Sequence, residues 1–178
     1  MPARRAHPEL PVPQDDPLLL SRVRYTNAVT LFDELTALVS ALDEANLDYA
    51  LAGALALAVW GVPRATRDID LLVRPEALDD VRAVARARGF TLEAQPMKFS
   101  DGMELRRIIK VESGGAHLTL DLILVDDNLK PAWESRLVLE FGEGKLRVIS
   151  RDALIAMKAA ASRPQDLADI ARLRELDR

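Results

Sequence analysis

The sequence predicts an α+β domain: a mixed β-sheet with flanking helices and a helical pair at its C-terminal end. Three observations carry that reading. Apolar residues recur at three- and four-residue intervals from Val29 through Phe32, Leu35, Leu38, Val39 and Leu42, which is helical spacing. From about residue 91 onward the period shortens to strand alternation, broken by the turn signals Ser100-Asp101-Gly102, Ser113-Gly114-Gly115 and Gly142-Glu143-Gly144. Between these regions, Tyr49 to Arg74 reads as strand, tight turn, helix, loop and strand, and the other elements are arranged around it.

Taken in order, Met1 to Pro17 carries prolines at 2, 8, 11, 13 and 17 and is expected to be a flexible arm without chemistry. Residues 18–178 are expected to form one domain, since 178 residues suffice for one core and not comfortably for two. A long helix from about Leu18 covers one face of the sheet, with Asp33, Glu34, Asp43 and Glu44 on its other side, and Asn46 stops it. The apolar run at Tyr49 is a strand ending at Gly53, Ala54 to Trp60 is a helix, and Gly61 ends that helix. Asp68 to Val73 is the second strand. Pro75 opens a helix with Leu78, Val81, Val84 and Ala85 inward and Gly89 as its C-cap. Strands follow near 91–98, 103–112 and 117–125, then a hairpin of Leu137–Phe141 with Leu146–Ile149. Ser150 caps a helix running to about Ala161, and Ser162-Arg163-Pro164-Gln165 has the form of a capping box that starts the last helix.

Strand alternation throws Asp68 and Asp70 onto one face and Ile69 onto the other. Two carboxylates side by side on a strand otherwise made of Ile, Leu and Val repel each other and lack water, so they need a cation to stay ionised together. Hard divalent ions, Mg2+ or Mn2+, suit oxygen ligands of this kind. The turn at Gly53 presents free backbone N–H groups at a helix N-terminus, a natural anion site, and this is compatible with a glycine packed at a strand-to-helix turn. Arg64 and Arg67 flank the acidic strand and serve either charge balance or triphosphate binding. Asp121 interrupts the apolar run from Leu118 to Val125 and must have a partner, whether a backbone turn, an arginine or a metal. Arg107 is a buried ion-pair partner or an acceptor-binding arginine, and the ion pair is favoured. Lys158 falls on the apolar stripe of its helix beside Leu154, Met157 and Ala161, so it either snorkels or points into the site. Asp166 sits where an acid offsets a helix dipole, and Asp169 reads as a polar-network residue. His7 and His117 have no metal-ligand companion.

The turn Gly53-Ala54, the Arg64-x-Thr66 pair and the Asp68-x-Asp70 signature together resemble the nucleotidyltransferase superfamily of polymerase-beta-like folds, in particular its small bacterial AbiEii-like branch. The resemblance spans most of the chain from Tyr49 onward and is specific in the 53–70 segment. It implies that Gly53, Ala54, Arg64, Thr66 and Arg67 bind a nucleoside triphosphate, that Asp68 and Asp70 hold metal, and that Asp121 is the third acid supplied by a later strand. The segments 154–158 and 163–169 resemble the C-terminal motifs of the same branch, which implies that Lys158 and Asp166 complete the site. Ala54 departs from the usual Gly-Gly or Gly-Ser: it keeps a backbone N–H but offers neither a hydroxyl nor a second glycine's freedom.

Composition sets the outer limits. With 49% hydrophobic and 29% charged residues the chain is ordinary for a globular protein, and no apolar run is long enough to span a bilayer. The N-terminus has prolines and charges where a secretory signal needs an apolar segment, so the expected location is the cytoplasm, away from membranes. The absence of cysteine excludes disulfides, thiol catalysis and thiolate metal sites. A net charge of −4 argues against broad, non-specific nucleic-acid binding. Few aromatic residues, two Trp, two Tyr and four Phe, leave little for a base-stacking groove, though a folded tRNA end can still dock. The expected function is Mg2+-dependent transfer of a nucleotidyl group from an NTP to a tRNA end, a small molecule or a protein. A toxin role beside an antitoxin protein follows from family analogy. The alternative is an inactive nucleotide-binding or regulatory module of the same fold, for which Ala54 is the best support.

Overall fold

The computed structural model describes residues 31–100, 102–112, 114–142 and 144–176. The expected arm at 1–17 with His7, the start of the first helix including Val29, and the turn residues Asp101, Ser113 and Glu143 lie outside the described residues.

Helix α1 (Leu31–Glu44) buries Leu31, Leu35, Leu38, Val39 and Leu42 along one stripe, each worth about 2 kcal/mol of apolar burial. Asn46 ends it at φ 55, in the left-handed region that asparagine tolerates. There follow β1 (Ala50–Leu51), α2 (Gly53–Val59) and β2 (Asp68–Val73). A short 3-10 turn, Pro75–Ala77, leads into α3 (Leu78–Ala87), which turns out of its helix at Gly89 with φ +92. The chain continues through β3 (Leu92–Glu93), β4 (Met97–Lys98), β5 (Glu104–Val111), β6 (His117–Leu124), α4 (Lys130–Glu134), β7 (Leu137–Phe141), β8 (Gly144–Val148), α5 (Arg151–Ala161) and α6 (Pro164–Glu175).

One eight-stranded sheet runs in the order β3-β5-β6-β2-β1-β8-β7, with β4 also beside β5. The pairs β2–β6 and β1–β8 are parallel and the other pairs antiparallel, so the sheet is mixed as expected. Strand β1 is a two-residue seam between the halves. It is extended by Ala52 N donating to Asp70 O at 2.9 Å and Ile149 N donating to Leu51 O at 3.1 Å. Helix α1 packs on β8 and α3, while α2 packs on β2 and α5, and α5 on α4 and α6. Among the described residues no helix is long and apolar enough to cross a membrane.

Two local expectations are corrected. The strand expected at 91–98 is two separate pieces, β3 and β4, because Pro96 between them has no N–H for the ladder with β5. Ser162 does not open the last helix. It sits at φ 52 as the left-handed C-cap of α5, its hydroxyl donating to the Ala159 carbonyl, and the N-cap of α6 is Arg163 with Pro164 in the first turn. Ser150 does cap α5, accepting a hydrogen bond from Ala153 N at 3.2 Å.

Candidate active site

Alternation along β2 buries Ile69 and Leu71 completely and leaves Asp68 and Asp70 half-buried on the opposite face. The parallel register places Asp68 beside Thr119 and Asp70 beside Asp121, and the antiparallel register of β5 with β6 places Arg107 beside Asp121. Cross-strand neighbours share a face, so Arg107, Asp121 and Asp70 form a row across three strands, with Asp68 next to it. Asp121, 4% exposed, receives a fork of hydrogen bonds: Arg107 Nε donates to Oδ1 at 2.8 Å and Nη2 to Oδ2 at 2.7 Å. Its partner in this structure is therefore an arginine, and Arg107 makes the expected ion pair.

Gly53 has φ +64, and a Cβ built on it would lie 1.9 Å from Asp70 Oδ2 and 2.5 Å from Asp70 Cγ. The glycine is favoured twice: its left-handed conformation strains most side chains, and the missing side chain is the space the carboxylate occupies. Immediately after it, the N–H groups of the first turn of α2 have no acceptor within the helix. Ala54 is buried.

Among the described residues no donor binds the side chain of Asp68 or Asp70. The Asp70 carboxyl is pushed up to about 6, first by burial and then by repulsion from Asp121 and Asp68, with Lys158 and Arg64 only partly offsetting these. Among the described residues, no three acidic or histidine side chains gather as a ready cation site. Asp68, Asp70 and Asp121 share one face of the sheet, and both oxygens of Asp121 are turned to Arg107.

A second charged cluster borders the first. Lys158, 6% exposed, donates to Asp166 Oδ1 at 3.2 Å and Asp169 Oδ2 at 2.7 Å, and both acids are 1% exposed. Arg64 Nε donates to Asp169 Oδ2 at 3.2 Å, and Arg163 Nε to Asp166 Oδ2 at 2.6 Å. Burial works against ionisation of Asp166, yet hydrogen bonds from Arg163 and Lys158 outweigh it and hold its carboxyl below the ordinary range. Lys158 thus points inward, Asp169 is a network residue as expected, and the direct partner of Arg64 is Asp169 and not the acidic pair. Thr66 is buried, and its Oγ1 accepts from Asp68 N at 3.2 Å, ordering the start of β2. Arg67 is exposed just before that strand, and His117 is exposed at the start of β6. Sequence reasoning passed over Arg163, whose three-residue spacing to Asp166 across the first turn of α6 was the available signal.

Solved structures similar to this chain in fold include antibiotic adenylyltransferases. The lincosamide antibiotic adenylyltransferase LnuA, in a lincomycin-bound structure, is 16% identical with a TM-score of 0.53, covering 83% of this chain and 98% of its own. ANT(2")-Ia, solved with adenylyl-2"-tobramycin, is 20% identical with a TM-score of 0.53, covering 80% and 86%. TM1012 from Thermotoga maritima, described as a "putative nucleotidyltransferase", is 15% identical with a TM-score of 0.57, covering 81% and 91%. No curated protein matches the chain in sequence. The family model described as nucleotidyl transferase AbiEii toxin, Type IV TA system, matches residues 36–178. The chain belongs to the AbiEii family and is a nucleotidyltransferase.

Proposed function

We propose that this enzyme moves a nucleotidyl group from an NTP to an acceptor hydroxyl with a divalent ion, Mg2+ or Mn2+, and that it acts as the toxin of a toxin–antitoxin pair. The observation that carries the reading is the acidic pair left without donors, one member of it seated in the gap that Gly53 leaves open. A carboxyl pushed up to about 6 by burial and by its neighbours is short of positive charge, which suits a cation that arrives with its substrate. Asp68 and Asp70 would hold that ion, with Asp121 as a third ligand once its arginine moves. A bound dication supplies neutralisation of the charge that builds up on the phosphoryl group.

The chain's own residues do the positioning. Backbone N–H groups after Gly53 and at Ala54 face the triphosphate, and Arg64, Thr66 and Arg67 line the approach from the loop before β2. Lys158 and Asp166 hold α5 and α6 together at the border of the site, which keeps the Arg64 charge near Asp70. In the transfer, a bond forms between the acceptor oxygen and the α-phosphorus, the bond from that phosphorus to the oxygen it shares with the β-phosphate breaks, pyrophosphate leaves and the acceptor's proton passes to water. The acceptor classes are a tRNA end, a small molecule of the antibiotic kind and a protein side chain. The likeness to antibiotic adenylyltransferases supports the second, and the toxin description of the family supports the other two.

The test is transfer from the four labelled NTPs, with Mg2+, to total tRNA, antibiotics and the protein itself. Asp70→Asn is expected to lower transfer at least about a thousandfold and to abolish growth inhibition in cells while the protein stays folded. A folded Asp70→Asn protein with wild-type transfer or toxicity would sink the proposal.

A further inference from the structure

Resting on the metal-dependent reading above, we propose that Arg107 is an internal counter-ion that holds Asp121 while no nucleotide is bound and releases it when nucleotide and cation arrive together. Arg107 is then the positioning residue that decides when the cation site is complete.

The geometry is that of an exchangeable partner. Asp121 is fixed in the middle of the sheet, with a side chain 5% exposed, while the Arg107 side chain is 39% exposed. A guanidinium with water on one side can swing outward without becoming an unpaired buried charge, whereas Asp121 cannot leave the site. The Lys158 bridges show the contrasting case, since there the cation is 7% exposed and its acids 2%, and no member has anywhere else to go.

The pairing also competes with metal. The fork of Arg107 takes a lone pair on each oxygen of Asp121. A dication on the remaining lone pairs would stand against a guanidinium cation, and charges of one sign exclude each other at that range. Meanwhile Asp68 and Asp70 accept no hydrogen bond, although Arg107 is close enough to feel their charge. An arginine placed only to neutralise acid would serve three carboxylates poorly by giving both of its carboxylate hydrogen bonds to one of them. An arginine that holds the third ligand back until a substrate supplies the missing cation would be placed in this way. With the Asp121 fork closed, two carboxylates alone are expected to bind a hard dication weakly. With triphosphate oxygens added, the ion is held firmly enough to displace the guanidinium, and the released cation remains at the rim where the negative substrate lies.

The experiment is Mn2+ binding, read by water-proton relaxation, with and without a non-hydrolysable NTP analogue. Wild type is expected to bind Mn2+ weakly alone and much more tightly with the analogue. Arg107→Met is expected to bind Mn2+ alone at least tenfold more tightly than wild type, Arg107→Lys to fall between them, and the gain to vanish when Asp121→Asn is added to Arg107→Met. Equal Mn2+ affinity in wild type and Arg107→Met overturns the inference, as does a lower affinity in the variant, which would mean that the arginine steadies a ligand. No Mn2+ binding by wild type even with the analogue sinks the metal reading itself, and this inference with it. Should Arg107→Met fail to fold, the wild-type protein still decides. Its Arg107 Nε–H resonance, assigned from its loss in Arg107→Lys, should shift when Mg2+ is added with the analogue and stay in place with Mg2+ alone, and an unmoved resonance in both cases overturns the inference.

Discussion

The acidic row on β2 and β6 and the ionic cluster between α5 and α6 solve the same problem in opposite ways. Both put carboxylates among apolar side chains. In the helical cluster each acid is met by two cations: Asp166 by Lys158 and Arg163, Asp169 by Lys158 and Arg64. In the row, Asp121 has one arginine and the half-buried pair beside it has no donor among the described residues. The titration behaviour follows: the Asp166 carboxyl is held down by its donors, and that of Asp70 is pushed up to about 6. Complete compensation marks a region whose task is to stay assembled. A deficit of positive charge marks one that awaits a partner.

The largest expected effect comes from breaking the compensated side. Lys158→Met leaves two acids buried with one cation each, so the protein should lose about 3 to 4 kcal/mol of stability in chemical denaturation. A loss under about 1 kcal/mol would mean that Arg64 and Arg163 suffice and that the cluster is not a unit. Next comes the deficient side. For Asp70 the folded value of about 6 lies above the ordinary carboxyl value of 3.8, so the folded state binds the proton more tightly. The contribution of this group is favourable below pH 3.8 and is lost as pH rises to about 6, by at most about 3 kcal/mol. Metal-free protein should therefore lose stability between about pH 4 and pH 6 on account of this group, a loss absent from Asp70→Asn. Parallel melts of the two proteins across that window check it, and identical pH profiles would remove the deficit on which the comparison rests. The smallest effect is expected at the rim of the helical cluster. Arg163 is largely exposed and Asp166 keeps Lys158, so Arg163→Ala should cost less than about 1 kcal/mol in the same denaturation assay.

Much of the framework was legible because its signals are local. Leu35, Leu38, Val39 and Leu42 repeat at helical spacing and are buried together, Asp68 and Asp70 alternate with Ile69, and Ser150 stands three residues before the backbone N–H it caps. Partnerships across the sheet were not legible in the same way. That Arg107 makes an ion pair was readable from its strand, but naming Asp121 as the partner required the β5–β6 register. Arg64 meets an aspartate 105 residues away on a helix whose docking no local pattern encodes. Lys110 reaches Glu34 at 2.6 Å across a separation of 76 residues, although Glu34 read as part of the solvated side of its helix. Ser162 misled because serine is a preferred N-cap, whereas here it takes the left-handed place at the C-terminal end of α5 that glycine usually fills.

The contact between Gly53 and Asp70 makes the two positions genetically dependent. Any side chain at 53 takes the volume of the carboxylate at 70, so in a randomised library a larger residue at 53 should survive in folded protein chiefly beside a smaller or displaced residue at 70. Such pairs have already given up the acid. A screen for loss of nucleotidyl transfer would then return substitutions at either position, and a revertant at one would recover nothing unless the other still held its original residue.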